Sequence, residues 1–273
     1  MLRIAGPSLS PEGRGVVGLR PSPLRGEGRV RGTAALTPED IAAIRAMVIY
    51  EDAAILALNK PSGLSSQGGR GQHRTLDELL VAFARSNGKR PDLIHRLDRH
   101  TSGVILAAKT KPAASFLGKA MMGRKFKKIY LALVASAPDL KDGIIEAPLR
   151  RDEQGREAYM RVCDPDHPDA ETAVSRYRTV ATGQGMALLE LRPQTGRMHQ
   201  LRVHLAHIGR PILGDARYGG ALMANGAAVP RLMLHARALE FPHPEGGLKR
   251  IEAEPPEDVL AVASAAGIAI SGT

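Results

Sequence analysis

The chain has 273 residues, a formal net charge of +10, 43% apolar residues, one cysteine and no tryptophan. That length can bury a core as one large domain or two small ones. The composition excludes a disulfide framework and a cysteine-built zinc site, and no apolar run is long enough to span a bilayer.

The basic balance points to a polyanionic partner, while only 3% aromatics argues against modules that hold RNA through rows of stacked bases. Residues 1–36 differ from the remainder. They carry six arginines against Glu12 and Glu27, which is +4 of the +10, with Gly and Pro throughout and no hydrophobic period, so a disordered tail is expected. Gly13-Arg14-Gly15-Val16-Val17-Gly18 matches the dinucleotide fingerprint by pattern, but no strand precedes it and no helical period follows. Two readings of the tail stand: a loose RNA contact, or translation from an upstream start with Met47 as the alternative. The Arg-rich start lacks the continuous apolar segment of a secretory signal, and a cytoplasmic protein is expected.

Folded structure is expected over 37–273. Thr37-Pro38-Glu39-Asp40 reads as a helix start. Strands are expected at Val48–Tyr50 and Ala54–Leu58, broken by Asn59-Lys60-Pro61-Ser62-Gly63. Gly68–Gly71 reads as a mobile loop. A capping box, Thr75 to Glu78, opens a helix with Leu76, Leu79, Leu80 and Phe83 at helical spacing.

His95-Arg96-Leu97-Asp98-Arg99-His100-Thr101-Ser102-Gly103 then precedes the apolar run Val104–Ala108. Pro112 starts a helix whose buried stripe is expected to be Phe116, Leu117, Ala120 and Met121. The basic run Gly123–Lys128 leads into a strand at Ile129–Ala135. Further strands are expected at Gly143–Leu149, Ala173–Ala181 and Met186–Leu191, with 150–169 as a charged loop. A helix is expected at Arg197–Ile208, a strand within Arg231–Phe241, a last strand at Ile251–Ala253 and a last helix at Asp258–Ala266. The irregular interleaving and short links favour an α+β architecture with a mixed, mostly antiparallel sheet and flanking helices.

Four chemistries can be weighed on these residues. His199, His204, His207 and His235 make a His-rich region, but the spacing does not put pairs at i and i+4 on one helix face, so no metal is expected. Ser102 lies near His100 and Asp98, but sequence neighbours seldom assemble a triad and Gly-x-Ser-x-Gly is absent. No phosphate-binding loop or kinase signature appears, which argues against NTP-driven chemistry. The fourth is a carboxylate acting on a polyanion. Asp98, between Arg96 and Arg99, has the position for it. On charge and spacing alone a structural Arg–Asp pair at a turn is slightly favoured, because such pairs are common.

The motif His95-Arg96-Leu97-Asp98-x-x-Thr101-Ser102-Gly103 resembles the catalytic motif of the RluA-type pseudouridine synthases. Asn59–Gly63, Lys128–Leu133, Thr195–His204, Pro211–Asp215 and Leu234–Ala236 resemble other family segments in the same order. The resemblance covers about 48–253 and implies the pseudouridine synthase fold with an RNA-binding cleft. It implies isomerisation of specific uridines to pseudouridine in large-subunit rRNA or tRNA, with no cofactor and no metal. Asp98 would be the essential carboxylate, Tyr130 would pack on the base, and Arg197 would pair with Asp98. Arg96 would splay the target nucleotide from its stack, and Leu201 would join the substrate contacts. Lys125, Lys127, Lys128 and Arg202 would follow the phosphates. The S4 RNA-binding module of many family members has no counterpart before the first motif, so target choice is expected to rest on the catalytic domain, as a monomer.

Overall fold

A computed structural model describes residues 35–68, 74–154 and 157–270. The expected tail therefore lies outside the described residues except for Ala35 and Leu36, as does most of the Gly68–Gly71 loop. The order is α1 (Pro38–Ala46), β1 (Val48–Glu51), β2 (Ile55–Lys60), α2 (Leu76–Leu79) with a 3-10 turn at Leu80–Phe83, β3 (Asp92–Leu93), β4 (Ser102–Ala108) and α3 (Lys111–Met122). There follow β5 (Lys127–Val134), β6 (Asp142–Glu146), β7 (Leu149–Gln154), β8 (Glu157–Val162), β9 (Val174–Gly183), β10 (Met186–Pro193) and α4 (Gln200–His207). The last elements are β11 (Met223–Ala224), β12 (Ala227–Ala228), β13 (Leu234–Pro242), β14 (Leu248–Glu252) and α5 (Glu257–Ala265).

Local chemistry fixes several of these starts. Thr37 and Asp40 form a reciprocal capping box on α1 with Pro38 in its first turn, and Thr75 and Glu78 repeat the device on α2. The helix expected through Phe83 tightens to a 3-10 turn instead. In α3 the buried residues are Ala113, Leu117 and Ala120, while Phe116 is 41% exposed, so the buried stripe is narrower than expected.

One sheet organises the molecule, in the order β1-β2-β4-β13-β5-β10-β9-β6, with β14 on β13 and β3 on β4. Its pairs are antiparallel except β4 with β13, where only His235↔Ser102 and Ala236↔Gly103 align. Gly103 makes this junction possible. Its φ is +114°, and a Cβ there would lie 2.2 Å from the Ala236 carbonyl oxygen. Strand β4 is buried along its whole length because both faces are covered. Val104 and Leu106 meet Leu117 of α3 in one core, and Ile105 and Ala107 meet Ile44, Leu76 and Leu80 in another. This explains why its sequence is an unbroken apolar run rather than an alternation. A third core packs β5, β10 and β13 with α4 and α5 through Leu133, Leu188, Leu205 and Val259.

The expected charged loop at 150–169 holds the β7–β8 hairpin instead. Leu149 and Met160 fasten it to Val203 of α4.

Candidate active site

The β4–β13 junction sets the site. Register places Gly103, Ala236 and Tyr130 side by side across three strands, so the loop that ends at β4 lies beside Tyr130 of β5. Leu191 of β10 pairs with Tyr130 in turn, which brings the segment after β10, Pro193–Arg197, to the same mouth. Between them is a cleft of about 100 Å³ whose lining includes Arg96, Asp98, Lys128, Tyr130, Arg197 and Leu201.

Backbone contacts from the Asn59–Gly63 segment hold the Asp98 loop. Lys60 is fully buried, and its Nζ donates to the carbonyls of Pro61 at 2.9 Å, Leu64 at 2.8 Å and Arg99 at 3.2 Å. Burial pushes its pKa down to about 7 against the attraction of Asp98; three carbonyl acceptors on one nitrogen favour the three-proton ammonium. Ser62 Oγ donates to the His100 carbonyl, and the Gly63 and Arg99 backbones are joined at 2.8 Å. Ser66 Oγ both donates to the Leu97 carbonyl and accepts from the Leu97 N–H. The loop closes on itself where Thr101 N–H meets the Asp98 carbonyl at 3.1 Å. Lys60 and Ser66 are positioning groups that sequence reasoning did not assign.

Behind the loop, His95 accepts from the Leu106 N–H through Nε2. Burial first, then Lys128, drives its pKa down to about 3, so it is neutral. Ser102, considered beside Asp98 and His100, bonds instead to His235 Nδ1 at 3.0 Å, and His235 Nε2 meets the Ala253 carbonyl at 2.9 Å. This fully buried pair ties β4 to β13 and is remote from any hydrolytic geometry.

Among the described residues, Asp98 is the only carboxylate lining the cleft. Its side chain is 30% exposed, and its nearest cationic or imidazole neighbour is His199 Nε2 at 3.9 Å. No hydrogen bond reaches its carboxylate among the described residues. Tyr130 is held protonated by burial and, secondarily, by the charge of Asp98. Arg96 is exposed and has no ion-pair partner among the described residues. Lys128 lines the cleft with its pKa lowered by burial. Lys125 is exposed but does not line the cleft, and Lys127 pairs with Glu240.

Two expected roles do not match the geometry. Arg197 does not pair with Asp98; its Nη1 lies 2.5 Å from Glu171 Oε2 and its Nε donates to the Thr172 carbonyl. Arg202 does not face solvent as a phosphate contact. It is 7% exposed and its Nε and Nη2 grip Asp215 at 2.8 and 2.7 Å, because a buried guanidinium is stable only when paired. Leu201 also contributes to the core beneath the cleft. Of the α4 histidines, His204 serves hydrogen bonding, to Ser175 Oγ and the Ala147 carbonyl.

Comparisons with known proteins identify the family. Residues 54–207 match a family described as RNA pseudouridylate synthase. The ribosomal large subunit pseudouridine synthase C of Salmonella typhi is 39% identical over 222 residues, covering 79% of this chain and 68% of that protein. The chain belongs to the RNA pseudouridylate synthase family.

It is accordingly an RNA pseudouridine synthase, an isomerase that converts uridine to pseudouridine in RNA. An RNA pseudouridine synthase 4, mitochondrial, of Arabidopsis thaliana is also 39% identical, over 63% of this chain and 40% of that protein. The pseudouridine synthase fold is shared with a solved human protein titled RNA Pseudouridylate Synthase Domain Containing 4. It superposes with TM-score 0.73 at 24% identity, covering 85% of this chain and 97% of that one. Among the described residues no helix is long and apolar enough to cross a membrane.

Proposed function

We propose that the cleft isomerises a uridine of large-subunit ribosomal RNA, with tRNA as the alternative substrate class, and that Asp98 is the reacting carboxylate. The observation that carries the assignment is one carboxylate, unbonded among the described residues, in a cleft otherwise lined by cationic and neutral groups. The printed name of the Salmonella typhi relative supports the ribosomal target.

The reaction breaks the N1–C1′ bond, turns the base, forms C5–C1′, and moves a proton from C5 while N1 ends protonated. Asp98 either attacks carbon or removes a C2′ proton. For attack at C1′ and for C2′ proton removal alike, its negative charge is discharged as N1–C1′ breaks and returns as C5–C1′ forms. Tyr130, protonated beside it, is the hydroxyl placed to take the C5 proton at the end while passing its own proton on.

Arg96, exposed at the cleft rim, fills the space vacated by the extruded nucleotide. Lys125 and Lys128 contact phosphates. For Arg197 to meet Asp98 its guanidinium must leave Glu171; that ion pair is half-exposed, and such pairs contribute only about 0–1 kcal/mol. Residues 37–273 act as the catalytic domain. The proposed enzyme acts as a monomer, and a ribosomal substrate suits the cytoplasm.

The test is tritium release from RNA labelled with [5-³H]uridine. Asp98→Asn is expected to lower the rate by roughly a thousandfold or more with RNA binding retained. Wild-type release by that variant would sink the assignment of Asp98. Mapping pseudouridine in cells with and without the gene identifies the RNA and the position.

A further inference from the structure

His199 has three features that neither the core nor the assigned roles account for. It is a non-glycine residue in the left-handed region, with φ 52° and ψ 17°, immediately before α4. Strain of this kind collects at functional sites. Its Nδ1 lies 2.8 Å from the Tyr218 hydroxyl. Its Nε2 lies 3.9 Å from Asp98 Oδ2, with the imidazole lining the cleft.

The tautomer follows from the partners. The Tyr218 oxygen accepts the Met160 N–H at 3.1 Å, which leaves its own proton to donate to His199 Nδ1. The ring hydrogen of the neutral imidazole is then on Nε2, directed at Asp98. The charged and titratable groups around the ring are Asp98, Arg202, Asp215, Arg217 and Tyr218. Burial is the main cause that lowers the imidazole's pKa; Asp98 opposes it, the two arginines add to it, and Asp215 opposes it weakly. Tyr218 is itself fixed: the Arg202 guanidinium, gripped by Asp215, lies over its ring at 4.9 Å.

We propose that His199 is a positioning residue for Asp98, its Nε2–H orienting the carboxylate while Tyr218 sets the tautomer. The inference rests on Asp98 as the reacting carboxylate. At 3.9 Å the contact is longer than a hydrogen bond, and a small rotation of Asp98 makes it one, as such contacts tighten around substrate.

The test uses the full chain and bulk RNA labelled with [5-³H]uridine from cells lacking the gene. His199→Asn tolerates the left-handed backbone and can still reach Tyr218, but it has no atom at the Nε2 position. It is expected to melt at or above the wild-type temperature and to bind RNA within about twofold of wild type, yet to turn over roughly 10–100-fold more slowly at saturating RNA. His199→Gln, whose amide reaches the Nε2 position, is expected to recover most of that loss. A purely structural histidine predicts the opposite: altered melting with an unchanged rate.

Wild-type turnover in His199→Asn, or equal losses in both variants, overturns the inference while an inactive Asp98→Asn leaves the Asp98 reading standing. An active Asp98→Asn overturns both. Should His199→Asn fail to fold, Tyr218→Phe decides. A fall in rate of about tenfold at unchanged RNA affinity is expected, and an unchanged rate counts against the proposal.

Discussion

At the scale of single residues, the cleft holds its charges apart. The ammonium of Lys60 bonds to three carbonyls rather than to Asp98, and Arg197 rests on Glu171. Asp98 is thus attracted from several directions and neutralised by none. Tyr130 is buried beside it and kept protonated. Tyr130→Phe tests the proton step of the proposed reaction. It removes only the hydroxyl, so RNA affinity should stay near wild type, whereas tritium release should fall by roughly 100-fold or more, within the range for a lost acid–base group. Release at the wild-type rate would show that another group takes the C5 proton. Asp98 and Tyr130 were legible in the sequence as candidates through the resemblance. The partner of Arg197 was not, because Glu171 lies in a charged segment with no motif to mark it. Nor was the work of Lys60 legible, since its partners are backbone carbonyls that carry no side-chain signature.

At the scale of elements, the two-residue parallel contact of β4 with β13 joins the two parts of the sheet and seats Asp98 next to Tyr130. Gly103→Ala should force the strands apart, since the new Cβ would meet the Ala236 carbonyl at 2.2 Å on a residue with φ +114°. A loss of about 3 kcal/mol or more is expected from combined overpacking and backbone strain, read as a shift in urea midpoint. An unchanged midpoint would mean that the junction relaxes freely. The second element-level device is the Arg202–Asp215 pair, which clips α4 to the segment after it. Asp215→Ala strands a buried guanidinium and should cost roughly 3–5 kcal/mol. Loss of RNA affinity at unchanged stability would instead restore Arg202 as a phosphate contact. The apolar run Val104–Ala108, the start of α1 and the capping box of α2 were legible because each depends on local pattern. The β7–β8 hairpin was not. Leu149 and Met160 bury against α4, but charged neighbours dominate the window, and pairing with a distant element outweighs local polarity. The start of α4 was placed three residues early, because Thr195 and Gln200 bond to each other and hold Arg197–His199 as a turn.

At the scale of the whole molecule, the fold keeps several histidines neutral in its interior, and this links its stability to pH. His235 is fully buried between the Ser102 hydroxyl and the Ala253 carbonyl. Burial, reinforced by Arg231 and Arg237 and opposed by Asp258, lowers its pKa from 6.5 to about 4. His95 behaves alike, down to about 3. Between the unfolded and folded values the unfolded chain binds a proton that the folded chain refuses, so stability falls as pH drops through that window. For His235 the window runs from about 6.5 to about 4, and at 1.36 kcal/mol per pKa unit its share is on the order of 3 kcal/mol. The half-exposed carboxylate Asp258, whose pKa is lowered by Arg231, loses its contribution only below the ordinary carboxylate range, so the two effects separate on the pH axis. Urea unfolding of the wild type should therefore weaken steadily from pH 6.5 downward. His235→Asn should be less stable at pH 7.5, because Ser102 and Ala253 lose a shared partner. It has no imidazole to protonate, so the gap between variant and wild type should narrow by about 3 kcal/mol on going to pH 4. A gap that stays constant would mean that His235 takes up its proton inside the fold, with Ser102 turning to accept from it, and the β4–β13 junction would then tolerate a buried charge.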